Sequence, residues 1–424
     1  MKWNPFKKKV PARLAVEWFP ENGMNGPYAT SYHGELAVTK ARKLEMSNPT
    51  INRFKFLLQH NVVGDGFMLK AAKRFTDLFL MWAGPTWTAF QREVIWNLAR
   101  DGEAFILVSQ EGPKLLDALK CKRSPNSDLA APVSGWVEGI RFDSQGNPIS
   151  YAFGSRTYSA SDIVHIFVRN TPEQVRGESW LAPCLNTLSS MDELSGQVIA
   201  HARSASNLRG FITSPEDSAF MVPVFGDTRT DEGAETARNM IAKLQGAKNP
   251  GLVFLPPGSE FVATNPDLSA TTISPMFDTL LRLVAAGLGL SYAALTGDQT
   301  SANFSSLRFG RLDDVATYKQ HQHTLELAYD DLLRKFREQI LKGGTSKWSW
   351  SAPGFEYIEP VKEATANKIL LEQGLTSKTR LLAEQGVEYE TVLDERVRER
   401  QLEEEKGLAE PEPEPAEEEE ESDG

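Results

Sequence analysis

The stretch from Pro275 to Gly344 limits the choice of fold more than any other part of the chain, because it encodes a helix, a polar loop and a second helix of unusual length. Phe277, Leu280, Leu281, Val284 and Leu288 recur at helical spacing, and Gly287 and Gly289 weaken the helix where that face ends, so the first helix is predicted to stop near Leu290. From Leu295 to Ser306 the residues are small and polar with one aromatic, a composition that bonds to its own backbone and favours loops and caps. Asn303 or Ser305 is placed to cap the second helix. That helix is predicted from Leu307 to about Leu341, with Leu312, Val315, Leu325, Ala328, Tyr329, Leu332, Leu333, Phe336 and Ile340 on one stripe and Gly343-Gly344 as its stop. At ~1.5 Å per residue it would be roughly 50 Å long and would need neighbours along its whole length. Its mixed charges suit either burial within one subunit or copies meeting through salt-bridged flanks.

The rest reads as an α+β chain. Residues 1–34 hold Pro5, Pro11, Pro20, Gly23, Gly26 and Pro27 with little periodicity, which predicts either an extended arm whose basic start rests on an acidic partner or a neighbouring subunit, or a disordered tail. A helical pattern runs from Glu35 through Val63 and again from Trp87 to Ala99. Glu103–Val108, Ile149–Phe153 and Ile163–Val168 read as strands, with Gly146-Asn147 as a turn. Leu181 to about Asn207 reads as a helix, followed by Pro- and Gly-bearing sequence with a short helix near Glu235–Leu244 and strands at Val253–Leu255 and Glu260–Ala263. Beyond Trp348, Trp350 and Pro353 lie three helical blocks divided by Gly374 and Gly386, with Thr376 or Ser377 as a cap. The Glu/Pro-rich run 403–424 cannot bury enough apolar surface to order itself.

That run also accounts for the charge. The chain carries −11, and residues 403–424 alone hold twelve acids and one lysine, leaving 45 acids and 45 bases in the other 402 residues. A neutral body with an acidic tail has no electrostatic footprint for tight nucleic-acid binding. Two cysteines, Cys121 and Cys184, exclude a disulfide framework and a four-cysteine zinc site. No apolar run reaches membrane-span length and no apolar segment follows the basic N-terminus, so a soluble, unsecreted protein is expected.

No catalytic constellation emerges. Gly64-x-Gly66 and Gly287-x-Gly289 lack a third glycine, and neither a phosphate-binding Gly-Lys-Ser/Thr nor a Gly-x-Ser-x-Gly elbow occurs. His321 and His323 are two apart and point to different sides of a helix, unlike a zinc pair, so they are expected to be solvated or to face another subunit. Asp313-Asp314 and Asp330-Asp331 are neighbours that point apart. His165 sits mid-strand as a core or interface residue, and Arg176 with Glu178 suggests an ion pair or capping turn. No catalytic, cofactor or metal residue is assigned. The alternatives to a structural role, a nucleic-acid-processing enzyme or another minor capsid or adaptor protein, lack supporting residues or fail to explain the order of segments.

The run Leu280-Leu-Arg-Leu-Val-Ala-Ala-Gly-Leu-Gly-Leu-Ser-Tyr-Ala-Ala-Leu-Thr-Gly-Asp298, followed by Asn303-Phe-Ser-Ser306 and Arg308, resembles the lambda-type portal proteins of tailed bacteriophages. Asn61-Val-Val-Gly-Asp-Gly-Phe67, Asp101-Gly-Glu103, Gly139-Ile140, Ile163-Val-His-Ile166, Arg176-Gly-Glu-Ser179, Leu181-Ala-Pro183, Pro256-Pro-Gly258, Pro353-Gly-Phe-Glu356 and Pro360-Val-Lys-Glu363 agree in the same order. The resemblance implies a portal-type fold: arm 1–34, wing 35–180, stem helix 181–207, clip 208–272, second stem helix 273–290, tunnel loop 291–306, long kinked wing helix 307–344, helical crown 345–402 and disordered tail 403–424. It also implies a ring, twelve subunits in the mature head, seated in the virion at the capsid portal vertex after synthesis in the host cytoplasm. The implied partners are the major capsid protein, the terminase large subunit, head-tail connector or adaptor proteins, and double-stranded DNA passing through the channel.

Thr296, Gly297, Asp298, Gln299, Thr300, Ser301, Asn303 and Ser305 would then line the narrowest part of the channel. The loop holds no Lys or Arg, and fixed cations repeated around a ring would brake a moving polyanion by counterion release. Arg308 and Arg311 either supply a ring of positive charge beyond the loop or pair with Asp313 and Asp314 between subunits.

Overall fold

The computed structural model describes residues 29–121, 136–172, 174–207, 211–212, 235, 253–254, 270–300, 303–344, 347–387 and 389–406. The arm up to residue 28, most of the segment 208–272, Ser301 and the tail beyond 406 lie outside the described residues, and with them the helix expected near Glu235–Leu244 and the strand at Glu260–Ala263. The chain divides into two compact units, 1–45 with 49–182 and 293–424, and 46–48 with 183–292.

In the first unit, α1 (Ala29–Glu45) begins within the segment expected to be extended. Gly34 does not break it, since nothing packs within 4 Å of that position and the helix propagates through it. The predicted helix 35–63 is in fact two: a turn at 46–48 separates α1 from α2 (Pro49–Leu58), whose first residue is a proline that needs no N–H there. A π-turn, Gln59–Val63, closes α2 at Gly64 (φ +48). Strand β1 (Met68–Ala71) leads into α3 (Lys73–Ala83), which sequence reasoning passed over, and α4 (Trp87–Asp101) ends on left-handed Gly102.

Strands β2 (Glu103–Ser109), β3 (Gly112–Leu116) and β8 (Ile163–Phe167) form an antiparallel sheet in the order β3-β2-β8. Strands β4 (Trp136–Val137), β5 (Ile140–Phe142), β6 (Pro148–Phe153) and β7 (Arg156–Ser159) form an antiparallel meander, with Asp143 bonding the backbone of Gln145 and Asn147 in the expected turn. The two sheets share a core of Phe105, Cys121, Ile140, Tyr151, Phe153 and Ile163. Such burial of both β2 faces explains why Glu103–Val108 reads as a continuous apolar run rather than an alternation.

In the second unit α5 (Leu185–Asn207) runs with α6 (Ala270–Gly287), and the short strands β9 (Phe211–Ile212) and β10 (Val253–Phe254) pair in parallel. Helix α6 starts before the predicted Pro275 and ends at Gly287, three residues short of Leu290. Gly287 ends it at a close approach: a Cβ there would lie 2.5 Å from Cys184 Sγ, which itself donates to Val284 O at 3.5 Å.

Back in the first unit come α7 (Tyr292–Thr296, whose Tyr292 is counted with the second unit) and α8 (Phe304–Lys335), which continues as a π-turn over Phe336–Ile340. Strand β11 (Trp348–Ser351) returns to pair antiparallel with β1, Met68 opposite Ser351 and Ala71 opposite Trp348. The pair brings Trp348 and Trp350 onto an aromatic core: Trp348 stacks on Phe75 at 5.8 Å, and Trp350 meets Phe79 at 5.9 Å and Tyr329 of α8 at 5.5 Å. Phe336 closes it against Trp82 at 4.8 Å. Three helices end the described chain: α9 (Pro360–Glu372), α10 (Lys378–Glu384) and α11 (Tyr389–Glu405), with Ser377 rather than Thr376 capping α10. Helix α11 runs beyond residue 402, into the stretch expected to be disordered.

Candidate functional site

The segment 291–306, expected to be all loop, opens with helix α7. Tyr292-Ala-Ala-Leu is compatible with helix, and the turn is anchored because Leu295 is buried and Arg53 Nε donates to Ala294 O at 3.2 Å. Gly297 (φ +74) ends it in the left-handed conformation, its N–H returning to Ala293 O at 2.8 Å. The polar residues then bond to one another. Thr296 Oγ1 accepts from the Asp298 N–H at 3.1 Å, and Asp298 Oδ1 accepts from the Thr300 N–H at 2.9 Å and its hydroxyl at 2.7 Å. Asn303 caps α8 in a reciprocal box: its Oδ1 accepts from the Ser306 N–H at 2.8 Å, and its own N–H donates to Ser306 Oγ at 3.1 Å. Ser305 takes no part in the cap and is exposed, as are Gly297, Asp298, Gln299 and Thr300.

The nearest cations are held within the chain. Arg308 donates to Glu359 at 2.6 Å, and Lys362 donates to the other oxygen of the same carboxylate at 2.6 Å. The Lys362 bond, with the charge of Arg308, holds the Glu359 carboxyl below its ordinary value. Arg311 donates to Asn61 Oδ1 at 3.1 Å and lies 5.9 Å from the Phe355 ring centroid. Of the acids expected to pair with them across subunits, Asp314 is buried and Asp313 exposed. Among the described residues the result is an exposed turn of hydroxyls, amides and one carboxylate in which Thr296, Asp298, Thr300, Asn303 and Ser306 bond to near neighbours.

Three of the sequence motifs meet in a second feature that sequence reading did not anticipate. Arg176 pairs with Glu103, not with its neighbour Glu178: Nε lies 2.8 and 2.9 Å from the two carboxylate oxygens, and the remaining nitrogens donate to the carbonyls of Cys121, Glu138 and Ala118 at 2.9, 2.6 and 3.2 Å. His165 Nε2 completes the cluster at 3.0 Å from Glu103 and stacks on Phe105 at 4.2 Å. Although burial opposes it, the Arg176 charge and the His165 and Arg176 bonds bring the Glu103 carboxyl down to about 2, while burial lowers His165. The glycine beside each charged residue makes this possible. A Cβ on Gly177 would sit 2.0 Å from Gly102 O, and one on Gly102 2.2 Å from the Glu178 carbonyl carbon. Asp101-Gly-Glu103 and Arg176-Gly-Glu178 are thus the two halves of one backbone crossing. Pro353-Gly354 makes a similar crossing with Gln385-Gly386, where a Cβ on Gly354 would lie 2.1 Å from the Gln385 carbonyl carbon.

His321 departs from expectation. It is packed on Trp180 at 4.2 Å, and that burial lowers it to about 4. His323 is exposed, 3.5 Å from Glu326. Burial raises both Cys121 and Cys184 to about 11, which leaves them as inert thiols. Among the described residues no group of three or more His, Cys, Asp or Glu is placed to hold a metal, and no helix is long and apolar enough to cross a membrane.

Residues 12–322 match the model of the phage portal proteins of the lambda family. The chain belongs to that family. A probable portal protein of Halomonas phage phiHAP-1 is 23% identical over 92% of this chain and 85% of its own length. Portal protein B of Escherichia phage lambda is 23% identical over 59% of this chain and 52% of its own, and the portal protein of Escherichia phage N15 is 24% identical over 58% and 52%. Among solved structures, a chain from the virion of a native gene transfer agent particle aligns at TM-score 0.45 with 16% identity, covering 83% of this chain and 93% of that one. A chain from the neck of the native particle, computed with C12 symmetry, gives 0.46 with 14% identity over 82% and 93%. Portal proteins are structural rather than enzymatic, so this one's buried carboxylate and histidines hold its architecture.

Proposed function

We propose that this portal protein assembles as a ring of twelve at the unique capsid vertex, where the terminase motor packages double-stranded DNA through it and DNA later leaves. In this reading residues 35–180 and 307–344 form the wing, 181–207 and 273–290 the stem, 208–272 the clip that faces the terminase and then the head-tail connectors, and 345–402 the crown. The wing is the surface offered to the major capsid protein.

The observation that carries the reading is the turn from Gly297 to Ser306. The segment holds no Lys or Arg, its described residues Gly297, Asp298, Gln299, Thr300, Asn303, Ser305 and Ser306 are exposed, and Asp298 and Asn303 bond to near neighbours, while Arg53, Arg308 and Arg311 are each engaged by the chain itself. Each cation that neutralises a phosphate releases counterions and steepens the salt dependence of binding. A ring of such turns offers weak polar contacts and one carboxylate per subunit, which holds a duplex in register without gripping it. The channel is therefore a low-friction sleeve.

Negative-stain imaging of the purified protein tests the assembly: rings with a central hole about as wide as a duplex are expected, and a preparation without rings would refute it. Titration with duplex DNA tests the sleeve, because tight binding with a steep salt slope would contradict a cation-free lining.

A further inference from the structure

Arg53, Arg282, Arg308 and Arg311 contact or closely follow the segment 291–306, and one of them is held differently from the rest. Arg53, Arg308 and Arg311 each donate to an acceptor of the chain, whereas among the described residues Arg282, exposed on α6, makes no hydrogen bond and no ion pair. Its guanidinium lies 4.4 Å from the centroid of the Tyr292 ring, the shortest cation–ring approach among the described residues.

The acid best spaced to take that cation is turned elsewhere. Asp278 stands four residues before Arg282, at ion-pair spacing on one helix face, yet its Oδ1 accepts from the Tyr292 hydroxyl at 3.2 Å. All three side chains belong to the second unit and form a holder: Asp278 fixes the ring through its hydroxyl, and the ring attracts the cation without using an N–H. The donors of a planar fork are therefore left unbonded and exposed. A guanidinium oriented in advance loses less freedom on binding, and its paired N–H groups match two oxygens of a phosphate. Tyr292 belongs to α7, which ends at Gly297, where the cation-free turn begins.

We infer that Arg282 is a phosphate contact for duplex DNA in the channel, presented by Tyr292 and Asp278. The inference rests on the ring reading and names a residue that touches the cargo. The two backbones of a duplex cross any one level of a ring at two places, so about two copies engage at once however many the ring holds. With a slope of ~0.9 in log K per phosphate, affinity should fall roughly twelvefold between about 50 and about 200 mM salt, against roughly a thousandfold or more for a protein gripping six to ten phosphates. The contact passes from copy to copy as the strands advance, so it guides the duplex and leaves the sleeve free to slip.

Anisotropy titrations of a labelled duplex with purified full-chain rings test it. Wild type should lose affinity roughly twelvefold over that salt range, and Arg282→Gln rings should change by less than about twofold. Arg282→Lys keeps the charge but not the fork, and should bind more weakly at low salt with the wild-type slope. Tyr292→Leu should do the same, and wild-type affinity in that variant would overturn the holder. A wild-type curve without salt dependence, or an Arg282→Gln slope equal to wild type, would overturn the inference and leave the ring standing. Arg282→Gln chains that fail to form rings would also overturn it, because Arg282 would then serve an acid of a neighbouring copy. So would displacement of the duplex by inorganic phosphate at matched ionic strength, which would assign the fork to free phosphate. A wild-type chain that forms no rings would overturn both readings.

Discussion

Replacing Arg176 with methionine should be among the most damaging single changes in the first unit, and the cost can be worked out from what the guanidinium touches. It makes a forked contact with the Glu103 carboxylate and donates to three backbone carbonyls of the loop and strands around it. Glu103 is itself buried, at 3% exposure, so without the Arg176 side chain its charge has only His165 and the Gly177 N–H at 3.2 Å. Breaking a buried pair by removing one partner costs about 3–5 kcal/mol, because the other charge stays out of water. At ~2–4 °C per kcal/mol, the melting temperature should fall by roughly 6–20 °C. Although burial opposes it, the Arg176 charge and the bonds from His165 and Arg176 hold the Glu103 carboxyl at about 2, well below its ordinary value of 4.5. The pH dependence supplies an independent check. A carboxyl held below its unfolded value stabilises the fold above about pH 4.5, and that contribution is lost as pH falls toward 2. Thermal melts of wild type and Arg176→Met from pH 7 to pH 3 should therefore converge as the medium is acidified. A melting point within about 2 °C of wild type at pH 7, or two curves that run parallel into acid, would refute the reasoning.

His321 should give a second acid-sensitive limb. Its folded value near 4 lies below the ordinary 6.5, so stability is lost as pH falls from about 6.5 to 4, and His321→Gln should flatten that part of the profile without abolishing the fold. Two glycines should respond with opposite sign in chemical denaturation. Gly177→Ala drives a Cβ into Gly102 O and should cost on the order of 3 kcal/mol or prevent folding, whereas Gly196→Ala, mid-helix in α5 with nothing within 4 Å, should stabilise by about 0.5–1 kcal/mol. Gln299→Lys leaves the Asp298 turn intact and adds one exposed cation per copy. Assembled variant rings should bind duplex DNA more tightly and with a steeper salt slope, and an unchanged slope would count against residues 297–306 lining the channel.

Periodicity made α8, α4 and the strands β2, β6 and β8 legible, because each buries one face or both against local neighbours. Asn303 was legible as a cap for a similar reason, its chemistry acting three residues away. What escaped was decided at long range. Nothing near Met68 announces a strand, since its partner is Trp348–Ser351. Arg176 was read with Glu178, the acid two residues on, but Gly177 turns the backbone against Gly102 and presents the guanidinium to Glu103 instead. His321 looked exposed on a helix wheel, which cannot show that Trp180 arrives from another part of the chain to cover it. The loop 291–306 was read from composition, but α7 was hidden at its start because Leu295 supplies a single buried anchor too short to show a period.

The β1–β11 pair has a bearing on how the chain is made. Its two strands are separated by about 280 residues, and Trp348 and Trp350 cap an aromatic core whose other members, Phe75, Phe79 and Trp87, are synthesised long before. At ~5–20 residues per second those rings wait on the ribosome for roughly 15–55 s with their lid still untranslated. During that interval the nascent chain displays a sticky, unfinished face. A premature stop before Trp348 would therefore leave a client for chaperones and proteases rather than a shortened subunit able to poison an assembly.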